Sequence, residues 1–563
     1  SSSTQLAFFS VIVSVLFRSY QQGFGSEGLG DHRMATTLAS VLHQGNEDAL
    51  VVAGGGPRIS RSKLTSLVHD TAARLIAAGI KPGAVVSMAY HNTVDFVVAF
   101  LAVTHARAVA APLNSAYKVD EHRFYLGDTS AALLLLPAEG NAAAQEAARA
   151  LNVPVATLTL EAGATIRITP LTGNLAFPAP GQRTLPEPPR PADVALFLHT
   201  SGTTGRPKGV PLSHANLAAS LANIRDTYDL TASDVSYLVM PLFHVHGLMA
   251  GLLSPLLVGA RVVFPAAGRF TASTFWADCV AHGATFYTAV PTIHQVLLAR
   301  AKQDYPASNP PPLRFIRSCS SALAPATLEA LEATFKVPVL EAYAMTEASH
   351  QMTSNPLPHN GPRKPGTVGR AQGGVSVGIL DQQNRVLGPR TIGEVCVRGS
   401  NVTAGYLNNP KANEEAFAGG WFHTGDQGFI DEQGYVTLTG RIKELINRGG
   451  EKISPLEVDA VLLAHHGVAE AVSFGAPDAK YGETVAAAVV LKPGVSEAGL
   501  EADIRAHCAK TMAAFKVPDR IFFTKVLPKT ATGKIQRRHM VAAFIKPGDD
   551  KQAAPGVAPR SKL

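Results

Sequence analysis

The chain has 563 residues, enough for about three to four domains at ~150 residues each. At 46% hydrophobic and 17% charged residues it is too apolar for a disordered chain, and a net charge of +7 without a run of basic residues does not mark a nucleic-acid binder. Four scattered cysteines (Cys279, Cys319, Cys396, Cys508) with no CxxC pair exclude a disulfide scaffold and a zinc knuckle, and fit a reducing compartment.

Leu6–Phe17 is a short apolar run, well under the ~20 residues that span a bilayer, and no basic cluster precedes it. Met34 offers a natural start, so residues 1–33 read as an extension outside the fold. Leu64, Leu67, Val68 and Leu75 keep helical spacing, with Gly79 as a C-cap. A strand at Ala84–Tyr90, a helix at Asp95–Ala106, and strands at Ala108–Ala111 and Leu133–Leu136 follow. These uniformly apolar strand runs predict sheets covered on both faces, hence an α/β fold. After a Pro-rich connector, Pro178–Pro191, the strand Val194–Thr200 runs into a Gly-rich loop, and a helix starts at Ser213 and runs to about Asp226. The alternation lasts to about Leu438. Beyond Arg441 a smaller block is predicted: helix Pro455–Ala464, strands Val472–Phe474 and Val485–Leu491, helix Leu500–Met512 and strand Ile521–Thr524.

Thr200-Ser201-Gly202-Thr203-Thr204-Gly205-Arg206-Pro207-Lys208-Gly209 is rich in glycine and hydroxyls. Glycines let backbone N–H groups turn toward an anion, hydroxyls add donors, and Lys208 adds charge, as a polyphosphate requires. It is not a Walker A loop, because Lys208 follows Pro207 and precedes Gly209. Asp426 stands in a Gly-flanked turn, Thr424-Gly425-Asp426, where a carboxylate can accept from two vicinal hydroxyls, as a ribose clamp does. Lys534 lies in a Thr-Gly-Lys turn that can carry an ammonium to a reacting phosphate. His244 and His246 do not complete a metal site; His244 can meet a carboxylate, and His246 reads as packing.

The 200–209 loop is similar to the phosphate loop of the adenylate-forming superfamily of acyl-CoA synthetases, peptide-synthetase adenylation domains and luciferases. Four further words resemble the superfamily's signatures in order: Tyr343-Ala344-Met345-Thr346-Glu347, with Ala344 for the usual Gly; Thr424-Gly425-Asp426; Gly440-Arg441-Ile442-Lys443-Glu444; and Pro528–Lys534. Longer stretches, EAYAMTEASHQMTSNPLP (341–358), GRIKELINRGGEKISPLEVDAVLL (440–463) and AAFKVPDRIF (513–522), resemble the oxalate–CoA ligase branch. Related 4-coumarate-like ligases share fewer of these words.

The resemblance implies a large N-terminal AMP-binding domain (34–440) of layered α/β subdomains with a small β-barrel-like subdomain. A hinge (441–443), a mobile α+β lid (444–546) and a tail (547–563) follow. It implies ATP, Mg²⁺ and coenzyme A as the small molecules handled. Nucleotide contacts fall to Thr200, Ser201, Gly202, Thr203, Thr204, Gly205, Lys208, Ser321, Ala322, Tyr343, Ala344, Met345, Thr346, Asp426 and Arg441. Glu347 falls at the Mg²⁺ position, Thr346 and Glu347 among the catalytic groups, Lys443 at the hinge, and Lys534 at the catalytic lysine. Gly449, Gly450 and Lys452 fall on the CoA side.

The run Arg317–Pro325 replaces the usual Ser-Gly-Ala word with three serines. Hydroxyls beside His244 would compensate a second carboxylate that an apolar slot would leave unpaired. Ser318, Ser320, His244 and His350 are therefore the candidate acid-binding residues, and a small diacid such as oxalate the expected substrate. Another short or aromatic acid is the alternative. A luciferase-like role would ask for an apolar pocket, and a peptide-synthetase module would be expected to carry a carrier domain after Lys534. A non-catalytic binding protein would have lost Lys534, Asp426 or Glu347. The terminal Ser561-Lys562-Leu563 matches the peroxisomal address, with an import receptor as partner.

Overall fold

The computed structural model describes residues 36–161, 165–181, 187–200, 207–530 and 532–546. The extension 1–33, the tail with Ser561-Lys562-Leu563, and Ser201–Arg206 of the phosphate loop lie outside the described residues.

Four sheets organise the chain. The first has seven strands in the spatial order Thr165–Thr172, Val155–Glu161, Leu133–Leu136, Val85–Tyr90, Val109–Asn114, Val194–Thr200 and Lys208–Ser213. Its inner five strands run parallel and both edges are antiparallel. The leucines of Leu133–Leu136 are fully buried, as a strand covered on both faces requires. The second sheet has nine strands, ordered Arg370–Ala371, His350–Ser354, Val339–Met345, Phe315–Ser318, Phe286–Ala289, Val235–Tyr237, Arg261–Phe264, Asp48–Val52 and Arg58–Ser60. One apolar cluster joins the two sheets through the helices Arg61–Ala77 and Val94–His105. The second of these helices is buried nearly all round, so it reads as apolar without a polar face.

Between these sheets and the C-terminal part lies a four-stranded antiparallel sheet, Ser376–Leu380, Gly393–Arg398, Phe422–Ile430 and Val436–Arg441. It supplies the small β-subdomain. The last sheet has five strands, with Arg520–Phe523 parallel to Gly482–Leu491, and carries the helices Pro455–Ala464 and Leu500–Thr511. It has its own core around Ile446, Val458, Leu462, Val485 and Ile504. The chain is thus an α/β protein with a large N-terminal and a smaller C-terminal domain. The helix Pro455–Ala464 of the smaller one lies against Pro325–Phe335 of the larger.

Local signals explain most boundaries. Ser213 accepts from the backbone N–H of Asn216 and caps the helix His214–Thr227. Gly79, at φ +94°, follows the Ala78 C-cap of Arg61–Ala77. The four cysteines are free and buried. Among the described residues, no helix is long and apolar enough to cross a membrane.

Candidate active site

Strand pairing gathers the motif residues. Thr200 ends one edge strand and pairs with Lys208, which opens the next. Tyr343, Ala344 and Met345 close the strand Val339–Met345, and Thr346-Glu347-Ala348 is a single 3₁₀ turn that buries Glu347. Tyr406 and Thr200 donate their hydroxyls to Glu347 Oε1 at 2.9 and 3.4 Å. Lys208 Nζ sits 4.5 Å from the Tyr406 ring centroid, so a cation, a carboxylate and three hydroxyl side chains (Thr200, Thr346, Tyr406) share this end of the two sheets.

Asp426 departs from the sequence expectation. It lies within the strand Phe422–Ile430, not in a turn. Gly425 adopts φ +73°, and the register shifts between Gln427 and Gly428, so the strand is locally deformed where the carboxylate emerges. A glycine in this motif signals a turn by sequence, whereas here it serves an irregular strand. Asp426 is paired across the sheet with Arg441. Arg441 Nε meets Oδ1 at 2.8 Å, and the Tyr343 hydroxyl donates to Oδ2. Burial is the largest influence on Arg441 and opposes its charge, but Asp426 together with Tyr343, Glu444 and Glu347 raises the guanidinium pKa. Burial, then Asp426, holds the Tyr343 hydroxyl well above its ordinary range, so it stays a donor. A carboxylate offers about four lone-pair sites, so two donors orient it without exhausting it.

Lys534 comes to the same cleft. Thr530 N–H donates to the Lys534 carbonyl at 2.8 Å and closes the turn. Gly533, at φ +83°, lets the turn lie against the larger domain: Thr292 Oγ1 donates to its carbonyl at 3.1 Å, and an added Cβ would stand 2.9 Å from that oxygen. Lys534 keeps solvent access, yet desolvation and the Arg441 charge lower its pKa, while Asp426 and Glu444 act in the opposite sense. Lys443 sits in the exposed 3₁₀ turn Ile442–Glu444, directly after the strand that carries Arg441.

The acid side is built from three strands and one irregular helix. Burial, and then the Lys534 charge, push the His244 pKa down to about 4. His244 Nδ1 accepts the backbone N–H of His246 at 3.2 Å, which leaves its own proton on Nε2. His246 does more than the packing expected of it. It opens a π-helical stretch, His246–Leu253, and its ring is held by Ser320 Oγ at 3.0 Å and Thr288 Oγ1 at 2.6 Å. It stacks on His350 with centroids 5.2 Å apart. Ser318 Oγ and His350 Nε2 are buried with no partner among the described residues, so an incoming polar group would satisfy them. Ser320 and His350 have φ of +73° and +95°, a conformation that costs of order 1–3 kcal/mol each in a non-glycine residue. Ser321 is exposed and donates to the Ser320 carbonyl, beside exposed Ala322.

Gly449, Gly450 and Lys452 are not brought into this cluster. The two glycines, at φ +59° and +96°, form the two-residue turn of the hairpin Ile446–Arg448/Glu451–Ile453, with Lys452 exposed on its second strand. Their neighbour is Tyr481, whose carbonyl accepts from Gly449 N–H at 2.8 Å.

Residues 39–407 match the AMP-binding enzyme family and residues 457–534 match the AMP-binding enzyme C-terminal domain. Over 490 residues the chain is 54% identical to an oxalate–CoA ligase of Arabidopsis thaliana, covering 87% of this chain and 94% of that one. Over 488 residues it is 47% identical to an oxalate–CoA ligase of Saccharomyces cerevisiae, covering 83% and 88%. The crystal structure of ATP-bound MatB from Rhodopseudomonas palustris superposes with a TM-score of 0.78 at 29% identity, over 91% of this chain and 99% of that one. A family match over most of the chain and relatives this similar along nearly their whole length establish that the chain belongs to the AMP-binding enzyme family.

Proposed function

We propose that the protein is an oxalate–CoA ligase: oxalate and ATP form oxalyl-adenylate and pyrophosphate, and CoA then displaces AMP to give oxalyl-CoA. The observation that carries the reading is the meeting of Lys534 with Asp426, Arg441 and His244 in one cleft between the two domains. An adenylating enzyme needs a nucleotide anchor, a cation at the reacting phosphate and a carboxylate pocket within reach of each other. Asp426, oriented by Tyr343 and Arg441, is suited to the ribose hydroxyls. Thr200, Lys208, Thr346 and Glu347 are suited to the phosphates. Lys534 offsets the charge that builds on phosphorus as the acid attacks.

The Glu347 carboxylate and the neighbouring hydroxyls are hard oxygen donors, which fit Mg²⁺ held by one carboxylate and the substrate's phosphates. When bound, the ion would neutralise phosphate charge. On the acid side, Ser320, Ser318, His350 and the Nε2–H of His244 offer hydrogen bonds, which favours a short acid with a second carboxylate. The names of the Arabidopsis and yeast relatives support oxalate. Turnover requires the lid to turn about Lys443, bringing Gly449, Gly450 and Lys452 toward the thioester side. The terminal Ser561-Lys562-Leu563 supports import into peroxisomes, tested by deleting the tripeptide from a fluorescent fusion.

The deciding experiment is an acid panel with ATP, Mg²⁺ and CoA, following AMP and thioester. Oxalate is expected to lead in kcat/KM, ahead of malonate, acetate and 4-coumarate. A panel led by an aromatic acid, or one without AMP release, overturns the reading.

A further inference from the structure

Arg317 is 1% exposed, at the centre of the nine-stranded sheet. Its guanidinium makes no ion pair among the described residues; Tyr228, Thr288, Gln351 and Cys319 lie against it. Nε donates to the Tyr228 hydroxyl at 2.8 Å, Nη1 to Thr288 Oγ1 at 3.2 Å and Nη2 to Gln351 Oε1 at 3.0 Å. A buried charge without a counter-charge is costly, so its retention calls for a partner that arrives from outside or a task it performs on its neighbours.

The donor and acceptor chemistry defines that task. A guanidinium only donates. Thr288 Oγ1 therefore accepts from Arg317, and its hydroxyl proton has one remaining partner, His246 Nε2 at 2.6 Å. With Nε2 accepting, the His246 proton sits on Nδ1 and is donated to Ser320 Oγ at 3.0 Å. Ser320 is half-exposed, so its own hydroxyl proton is left for a group in the cleft. The reverse polarity would leave the buried Thr288 proton with no acceptor. A doubly protonated His246 would place a second cation beside Arg317.

We propose that Arg317 is a positioning and specificity-determining residue: through Thr288 and His246 it forces Ser320 to donate toward a second carboxylate of the acid substrate. This rests on the oxalate reading and deepens it. The same buried charge attracts a dianion more strongly than a monoanion, so the device selects diacids by both orientation and field.

The test compares Arg317→Met, Arg317→Lys, Thr288→Val and Thr288→Ser. Arg317→Met is expected to raise the KM for oxalate at least 20-fold, with the KM for ATP within twofold and kcat within threefold. Arg317→Lys recovers part of the loss. Should Arg317→Met fail to fold, Thr288→Val carries the same test: a rise of about tenfold that Thr288→Ser reverses. In ¹⁵N-histidine NMR of the wild-type enzyme, with His246 identified by substitution, the proton is expected on Nδ1, and Thr288→Val loses that single tautomer. An Nε2-protonated His246, or an oxalate KM unchanged in the folded variants, overturns the proposal alone. A wild-type enzyme that leaves oxalate untouched overturns the parent reading and this proposal with it.

Discussion

Thr292 donates its hydroxyl to the carbonyl of Gly533 at 3.1 Å, tying the turn that carries Lys534 to the first turn of the helix Pro291–Asp304. The contact joins the two domains next to the proposed reaction centre. It requires close approach of backbone, which Gly533 permits at φ +83°. Gly533→Ala forces both a strained dihedral and a Cβ against Thr292. The expected result is a 10- to 100-fold slower adenylation, read by pyrophosphate exchange, with conversion of supplied oxalyl-adenylate changed less than threefold. Equal loss in both steps would detach this contact from the adenylating arrangement.

Lys534→Ala removes the ammonium from the cleft it shares with Asp426 and His244. Removing one preorganised charge at a developing anion costs about 10²–10³ in rate. Pyrophosphate exchange is expected to fall at least that far, while supplied acyl-adenylate is still consumed with CoA.

Asp426→Asn leaves Arg441 facing a neutral partner. The KM for ATP is expected to rise about tenfold or more with little change for oxalate. Because the Arg441 side chain is 38% exposed, the stability loss should be only about 1 kcal/mol, as for other partly exposed pairs. A chemical denaturation curve displaced by far more would assign Asp426 a structural role instead.

Ser320→Ala deletes the hydroxyl that His246 orients. We expect the KM for oxalate to rise about tenfold and that for a monocarboxylate to change less than threefold. Unchanged selectivity across the pair would remove Ser320 from acid recognition.

Stability should peak near pH 6.5–7. Burial pushes His105, His214, His244 and His294 down to about 4. The unfolded chain binds those protons from about pH 6.5, so stability falls as pH drops from 6.5 toward 4, by up to ~1.4 kcal/mol per pH unit for each fully buried histidine. Glu341, pushed up to about 8 by burial, acts the other way: its contribution is lost as pH rises toward 8. Four histidines outweigh one carboxyl on the acid side. Urea midpoints should fall from pH 7 to pH 5, and Glu341→Gln should flatten the alkaline limb.

The five nucleotide and lysine words were legible in the sequence because each depends on adjacent residues whose chemistry survives without long-range contacts. Helix and strand positions were legible where periodicity or uniform apolarity marks them, as at Leu133–Leu136 and Pro455–Ala464. The turn assigned to Asp426 was misread because a glycine signals a bend equally in a loop and in a deformed strand. His246 and Arg317 needed the folded chain. Their partners lie 74 and 42 residues away for His246 and 29 to 89 for Arg317, on segments that only the tertiary fold brings together. No local pattern records such a network, since the free energy of a buried charge or ring nitrogen is set by whatever the tertiary fold packs around it.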